Sequence, residues 1–164
     1  MTATDPSLFT MKHSSTDKAV MGRVTASYPR IQRLLVPLDF SGKSRQALRY
    51  AMPLAQKFSA KIHLVHVLPP PDKAQLADLP RMKQAAIKRL GEMSALLPPR
   101  LRAGNAVLVG KPAAEILALA GKNDIDLIVL TTKGETGLKR TLLGGTAQHI
   151  MQHAGCPVLS VRRR

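Results

Sequence analysis

The residues whose types and spacing could do chemistry gather between Thr131 and Thr146, a stretch that contains Gly134, Gly137, Gly144 and Gly145. Glycine has no Cβ, so its backbone N–H can approach an anion closely. Gly144, Gly145 and Thr146 stand immediately before a helical pattern. A helix N-terminus offers unpaired amides and the positive end of the dipole, which together suit a phosphate. Lys133, Lys139 and Arg140 add positive charge. The stretch is not a Walker A loop, because no Gly-Lys-Ser/Thr triplet closes it, and it lacks the dinucleotide fingerprint. Spacing alone serves a second reading equally well, in which these glycines only make turns and cap a helix.

Other constellations carry less. His149 and His153 are four apart, a metal-chelating interval on a helix, but Ile150 occupies the position of the zinc-protease glutamate and no third ligand follows. Two solvent-facing histidines are the expectation. His63 and His66 fall on opposite faces of a strand and cannot share a metal. Asp124 and Asp126 are expected to shape a turn. Asp39 ends a strand beside the expected ligand edge, and it serves either a ligand or the cap of the following helix. No nucleophile elbow, Cys–His pair or metal cluster is present, so no catalytic residue and no metal ligand is assigned. Any nucleotide hydrolysis is expected to be slow at most. Cys156, the single cysteine, lies between Gly155 and Pro157 and is expected to be a buried, inert thiol. It can form no internal disulfide, which fits a reducing compartment and a cytoplasmic location.

These residues need elements to position them. Leu34–Val36, ended by Pro37, reads as a buried strand. A loop through Asp39 follows, with Ser41 or Ser44 as N-cap of a helix. On that helix Ala47, Leu48, Ala51, Ala55 and Phe58 share a face, and Pro53 is expected to bend it. Further strands are expected at Lys61–Val67, Ala106–Val109, Asp126–Leu130 and Pro157–Val161. Between them Met82, Ala86, Leu90, Met93 and Leu97 recur at helical spacing, as do Ala113, Ile116, Leu117 and Ala120. Pro112 suits a first helical turn and Gly121 a helix end. A last helix holds Ala147, Ile150, Met151 and Ala154. Continuous apolar strands alternating with amphipathic helices predict an α/β domain, with a parallel sheet covered on both faces. Ligands of such sheets bind beyond the carboxyl ends of the strands where strand order reverses.

Length and composition agree. A chain of 164 residues with 45% hydrophobic content suits one domain. Aromatics are 3% and Trp is absent, which argues against base-stacking platforms. Residues 1–30 show little periodicity and are expected to be a flexible extension, leaving 31–164 as the domain. No apolar run reaches the roughly 20 residues that span a bilayer. The 25 Lys and Arg against 10 Asp and Glu give +15. Such charge attracts nucleic acid or other polyanions. Along the chain the charges are scattered, a pattern that also fits a general solubility bias. The Arg162–Arg164 tail reads the same two ways.

Five motifs in order resemble the universal stress protein family. They are Val36-Pro37-Leu38-Asp39-Phe40-Ser41, Leu64–Val67, Val109–Pro112, the Thr131–Thr146 loop, and Gly155–Val161. The resemblance covers about Ile31 to Arg163. It implies an open five-stranded parallel sheet of order 3-2-1-4-5, of the adenine nucleotide alpha-hydrolase-like kind. It also implies a homodimer paired through the last strand, Pro157–Val161. ATP-binding members carry Gly-x-x-Gly, nine residues, then Gly-Ser/Thr. Gly134 and Gly144 match the second and third glycines. Thr131 stands at the first, and Gly145 at the Ser/Thr position with Thr146 after it. By resemblance Asp39 and Val67 would line an adenine pocket, and Pro37 and Thr131 would lie near the ribose. Gly134, Gly144, Gly145 and Thr146 would hold phosphates. The implied cofactor is ATP or another adenine nucleotide, with Mg2+ accompanying ATP, in a stress-response or signalling role. The alternative is a member without nucleotide, acting as a protein-interaction or polyanion-binding module.

Overall fold

The structure, a computed structural model, describes residues 30–131 and 144–161. The extension expected over residues 1–30, apart from Arg30, lies outside the described residues, as do Gly134, Gly137 and the Arg162–Arg164 tail.

Five strands form one sheet: β1 Arg33–Pro37, β2 Lys61–Leu68, β3 Arg102–Val109, β4 Leu127–Thr131 and β5 Val158–Val161. Their order is β3-β2-β1-β4-β5 and all neighbours are parallel. Four helices connect them: α1 Ser44–Phe58, α2 Leu79–Ala95, α3 Pro112–Lys122 and α4 Gly145–His153. The expected α/β architecture and strand order are both observed.

The apolar strand runs exist because both faces are covered. Leu34, Val36, Ile62, Leu64 and Val129 pack against Ala47, Leu48, Ala51 and Ala55 of α1 and Leu90 of α2. The opposite face sets Leu35, Val65, Ile128 and Leu130 against Ile116 and Ala120 of α3 and Ala147 and Ile150 of α4. Leu34, Leu35 and Val36 are fully buried, as a central strand with helices on both sides requires.

Local expectations needed some correction. α1 runs unbroken through Pro53, which lies on its exposed side. Proline costs the helix its bond to the Arg49 carbonyl, yet packing of the opposite face holds the turns together. Phe58 is not part of that inner face; it is 44% exposed at the helix end. There Ser59 takes a left-handed conformation (φ 54°), and the Ala60 amide donates back to the Ala55 carbonyl. α3 continues past Gly121 to Lys122, and the chain turns at Asp124 (φ 44°). β3 begins at Arg102, four residues before its apolar part.

Candidate functional site

The strand order reverses between β1 and β4, the place where such sheets open a crevice. The sequence helps to open it. The Arg33 carbonyl accepts from the Asp126 amide on the β4 side, whereas the Leu38 amide donates to the Val65 carbonyl on the β2 side. Odd-numbered residues of β1 therefore turn their backbone towards β4. Pro37 is one of these, and it has no N–H to give. The register of β1 with β2 accordingly runs to Pro37, but that with β4 covers only Leu34 and Leu35.

Beyond Pro37 the chain is held by a compact set of contacts. The exposed Asp39 accepts the Ser41 amide at Oδ1, 2.9 Å. Ser41 Oγ accepts the Ser44 amide at 3.0 Å, and the Ser44 hydroxyl donates to the Ser41 carbonyl at 3.1 Å. Both serines are buried and satisfy each other. Ser41 thus supplies the cap, and Asp39 orders the loop before it. Between them Phe40 sits at φ 63°, a left-handed conformation that costs a bulky residue about 1–3 kcal/mol. Its ring makes two contacts. The His66 ring lies 4.2 Å away, centroid to centroid, and the Arg89 guanidinium lies 4.5 Å over the ring. His66 Nδ1 is 2.6 Å from the Leu38 carbonyl; the carbonyl can only accept, so Nδ1 carries the proton. This clamp fixes the backbone on which Asp39 is carried. Sequence reasoning missed it, since Phe40, His66 and Arg89 are far apart in the chain. The scarcity of aromatic residues was the available signal.

The other candidate residues reach the same edge. Thr131 is the last residue of β4, half-buried and paired with Val161 of β5. Val67 is half-buried near the end of β2, against the α3–α4 side of the core. Gly144 is the N-cap of α4, with extended backbone (φ −72°, ψ 144°). Its carbonyl accepts the Gln148 amide, the first bond of the helix. The amides of Gly145, Thr146 and Ala147 consequently have no acceptor within the helix. A Cβ on Gly145 would meet no atom within 4 Å. At the same edge Gly110 follows β3 and donates its amide to the Leu68 carbonyl, 3.0 Å. A Cβ there would fall 2.7 Å from Glu115 Cγ, so a side chain at this position would displace the Glu115 side chain. The structure thus brings Pro37, Asp39, Val67, Thr131, Gly144, Gly145 and Thr146 to the carboxyl edge of the sheet; Gly134 lies outside the described residues.

The acids near β4 lie at the opposite, amino edge. Asp126 Oδ2 accepts the Gln32 and Arg33 amides, each at 2.9 Å, and Asp124 is 3.6 Å from the Arg33 guanidinium. His63 faces the α3–α4 side of β2, away from His66. Burial first, and the Arg33 charge second, hold its pKa below the ordinary value. His149 and His153 are exposed on α4, their rings stacked at 4.2 Å. Cys156 is half-buried rather than buried, because it sits where the chain enters the edge strand β5. Burial still pushes its thiol pKa up, with a bond from the Ile128 backbone opposing and Asp126 adding to the rise. Among the described residues no group of three His, Cys, Asp or Glu is placed to hold a metal, and no helix is long and apolar enough to cross a membrane.

Comparison with known proteins agrees with the topology. The sequence model of the Universal stress protein family matches residues 30–162. A universal stress protein of Methanocaldococcus jannaschii is 32% identical over 142 residues, covering 80% of this chain and 82% of its own length. The solved structure of universal stress protein UspA from Lactobacillus plantarum superposes with a TM-score of 0.68 at 26% identity, over 81% of this chain and 99% of that one. A universal stress protein from Archaeoglobus fulgidus, solved in complex with dAMP, gives 0.61 at 21% identity, over 81% and 99%.

Proposed function

The chain belongs to the universal stress protein family, and from that premise we propose that it binds ATP or another adenine nucleotide at the carboxyl edge of β1 and β4. Binding, rather than turnover, would make it a stress-response or signalling factor. The observation that carries the reading is the reversal of strand order between β1 and β4, with Asp39 following β1 and α4, whose first amides have no acceptor within the helix, following β4. Asp39 and Val67 flank the base, Pro37 and Thr131 the ribose, and Gly134, Gly144, Gly145 and Thr146 the phosphates. The dAMP complex of the Archaeoglobus fulgidus relative supports an adenine nucleotide on this fold. The helix amides would neutralise phosphate charge, and Mg2+ would share that task with ATP.

A homodimer through Pro157–Val161 and a cytoplasmic location complete the proposal. β5 is an edge strand paired only with β4 among the described residues, and Leu159 on it is 36% exposed, which supports strand-to-strand pairing there. A second reading, a member that works without nucleotide as a protein-interaction or polyanion-binding module, draws on the +15 charge and on the departures at Thr131 and Gly145. Mass spectrometry of ligands retained by the native protein, with thermal melting in ATP and Mg2+, tests the first reading. Retained adenine nucleotide and a raised Tm are expected. An empty protein whose Tm does not move at millimolar ATP would refute it.

A further inference from the structure

The fold sorts charges that are scattered in the sequence. α1 carries Arg45, Arg49 and Lys57 and no acid. α2 carries Arg81, Lys83, Lys88 and Arg89 against Glu92 alone. All seven cations are exposed, and both helices pack on the same face of the sheet. The other face is different: α3 has Glu115 and Lys122, and α4 has no Lys, Arg, Asp or Glu.

The cations are also aligned. Arg45, Arg49 and Lys57 occupy one i, i+4 ridge of α1, with Cα atoms rising by about 6 and then about 12 Å along the axis. Arg81 and Lys88 are seven apart on α2, two turns along one side. Two are partly engaged already. Arg81 is 3.3 Å from Asp78, an exposed pair worth little, and Arg89 lies over Phe40.

We infer that the α1–α2 layer is a docking face for double-stranded nucleic acid, gripped through its phosphates. The inference rests on the polyanion reading above and gives it a face and a partner; it does not depend on nucleotide at the carboxyl edge. A duplex presents about one phosphate charge per 1.7 Å of axis, enough to meet rows of cations on two rigid helices. Phosphate contacts need no aromatic platform, and this layer offers only Tyr50 and Phe58 as exposed rings. A membrane surface fits less well. An interfacial helix needs a free apolar side, and the apolar sides of α1 and α2 are buried on the sheet. The exposed large apolar residues of the two helices, Tyr50 and Phe58 on α1 and Ile87 on α2, are outnumbered by the seven cations.

Fluorescence anisotropy with a duplex of about 20 base pairs, followed against salt, tests this directly. For the full chain, log K should fall linearly with log salt, with a slope of about −3 to −5. The triple variant Arg49→Gln/Lys57→Gln/Lys88→Gln should reduce that slope by roughly 3, and Lys57→Gln alone by roughly 1. The single variant keeps the test usable if the triple one folds poorly. Lys122→Gln, on the opposite face, should leave the slope unchanged. Absence of duplex binding at low salt overturns the inference, as does a slope that these α1 and α2 variants do not alter. Binding of polyphosphate without duplex rejects the inference while the polyanion reading stands. Stronger binding to phosphatidylserine vesicles than to duplex overturns it in favour of a membrane.

Discussion

Thr131 and Gly145 are where this chain departs from the nucleotide-binding signature it resembles, and they make the site testable one residue at a time. Gly145 opens α4 without a hydroxyl, yet a Cβ there would meet nothing within 4 Å. Gly145→Ser should therefore fit without displacing neighbours and add a donor to a charged phosphate. Such a bond contributes about 1.5–3 kcal/mol, so ATP affinity should rise by one to two orders of magnitude in a calorimetric titration. Unchanged affinity would show that the phosphates do not lie against Gly145. His63 makes a second prediction, of stability rather than binding. Its pKa is held below the ordinary value of about 6.5 by burial and Arg33. The unfolded chain then binds the proton more readily. The stabilising contribution of neutral His63 is complete above pH about 6.5 and is lost as pH falls through the lower folded value. Urea midpoints measured between about pH 5 and 7.5 should drop on acidification, and less steeply in His63→Gln. An equal slope in the variant would assign the acid sensitivity to other groups.

At the scale of elements, the chain signals its buried parts and hides its exposed ones. β1 is apolar from Leu34 to Val36 and β4 from Leu127 to Leu130 because helices cover both faces of the sheet there, so these residues could be read directly. β3 is an edge strand whose first four residues, Arg102–Asn105, are exposed; their side chains carry no apolar pattern, and only Ala106–Val109 could be recognised. Propensity weighs against Pro53 inside a helix, yet α1 runs on through it to Phe58, its packed face offsetting a single missing bond. The carboxyl-edge residues Asp39, Thr131 and Gly144 were legible from their positions at the ends of strand and helix patterns. The Phe40–His66–Arg89 clamp was not, because it joins β2 and α2 to a loop through tertiary packing. The role of Asp126 was only half legible. The turn before β4 is made at Asp124 (φ 44°), while the Asp126 carboxylate accepts two amides from the start of β1. Asp126→Ala should leave both donors without their acceptor and cost about 1–3 kcal/mol in chemical denaturation. A loss below about 0.5 kcal/mol would mean that water replaces the carboxylate at no cost.

For the whole molecule, the parallel sheet arranges two distinct surfaces. Its carboxyl edge gathers the loop residues and helix amides suited to an anion-bearing ligand, while the α1–α2 layer gathers cations on rigid helices. The first follows from connectivity, since every βα loop of a parallel sheet opens at that edge. The second is invisible in the chain, where basic residues are spread over several segments, and emerges only when α1 and α2 are laid on one face. The central claim concerns the edge. Its most direct test is a calorimetric titration of ATP with Mg2+ into the full-length protein and into Asp39→Ala. The account predicts saturable binding of one nucleotide per chain, weakened about tenfold by the substitution, which corresponds to about 1.4 kcal/mol. No heat of binding at millimolar ATP, or equal affinity in both proteins, would contradict it.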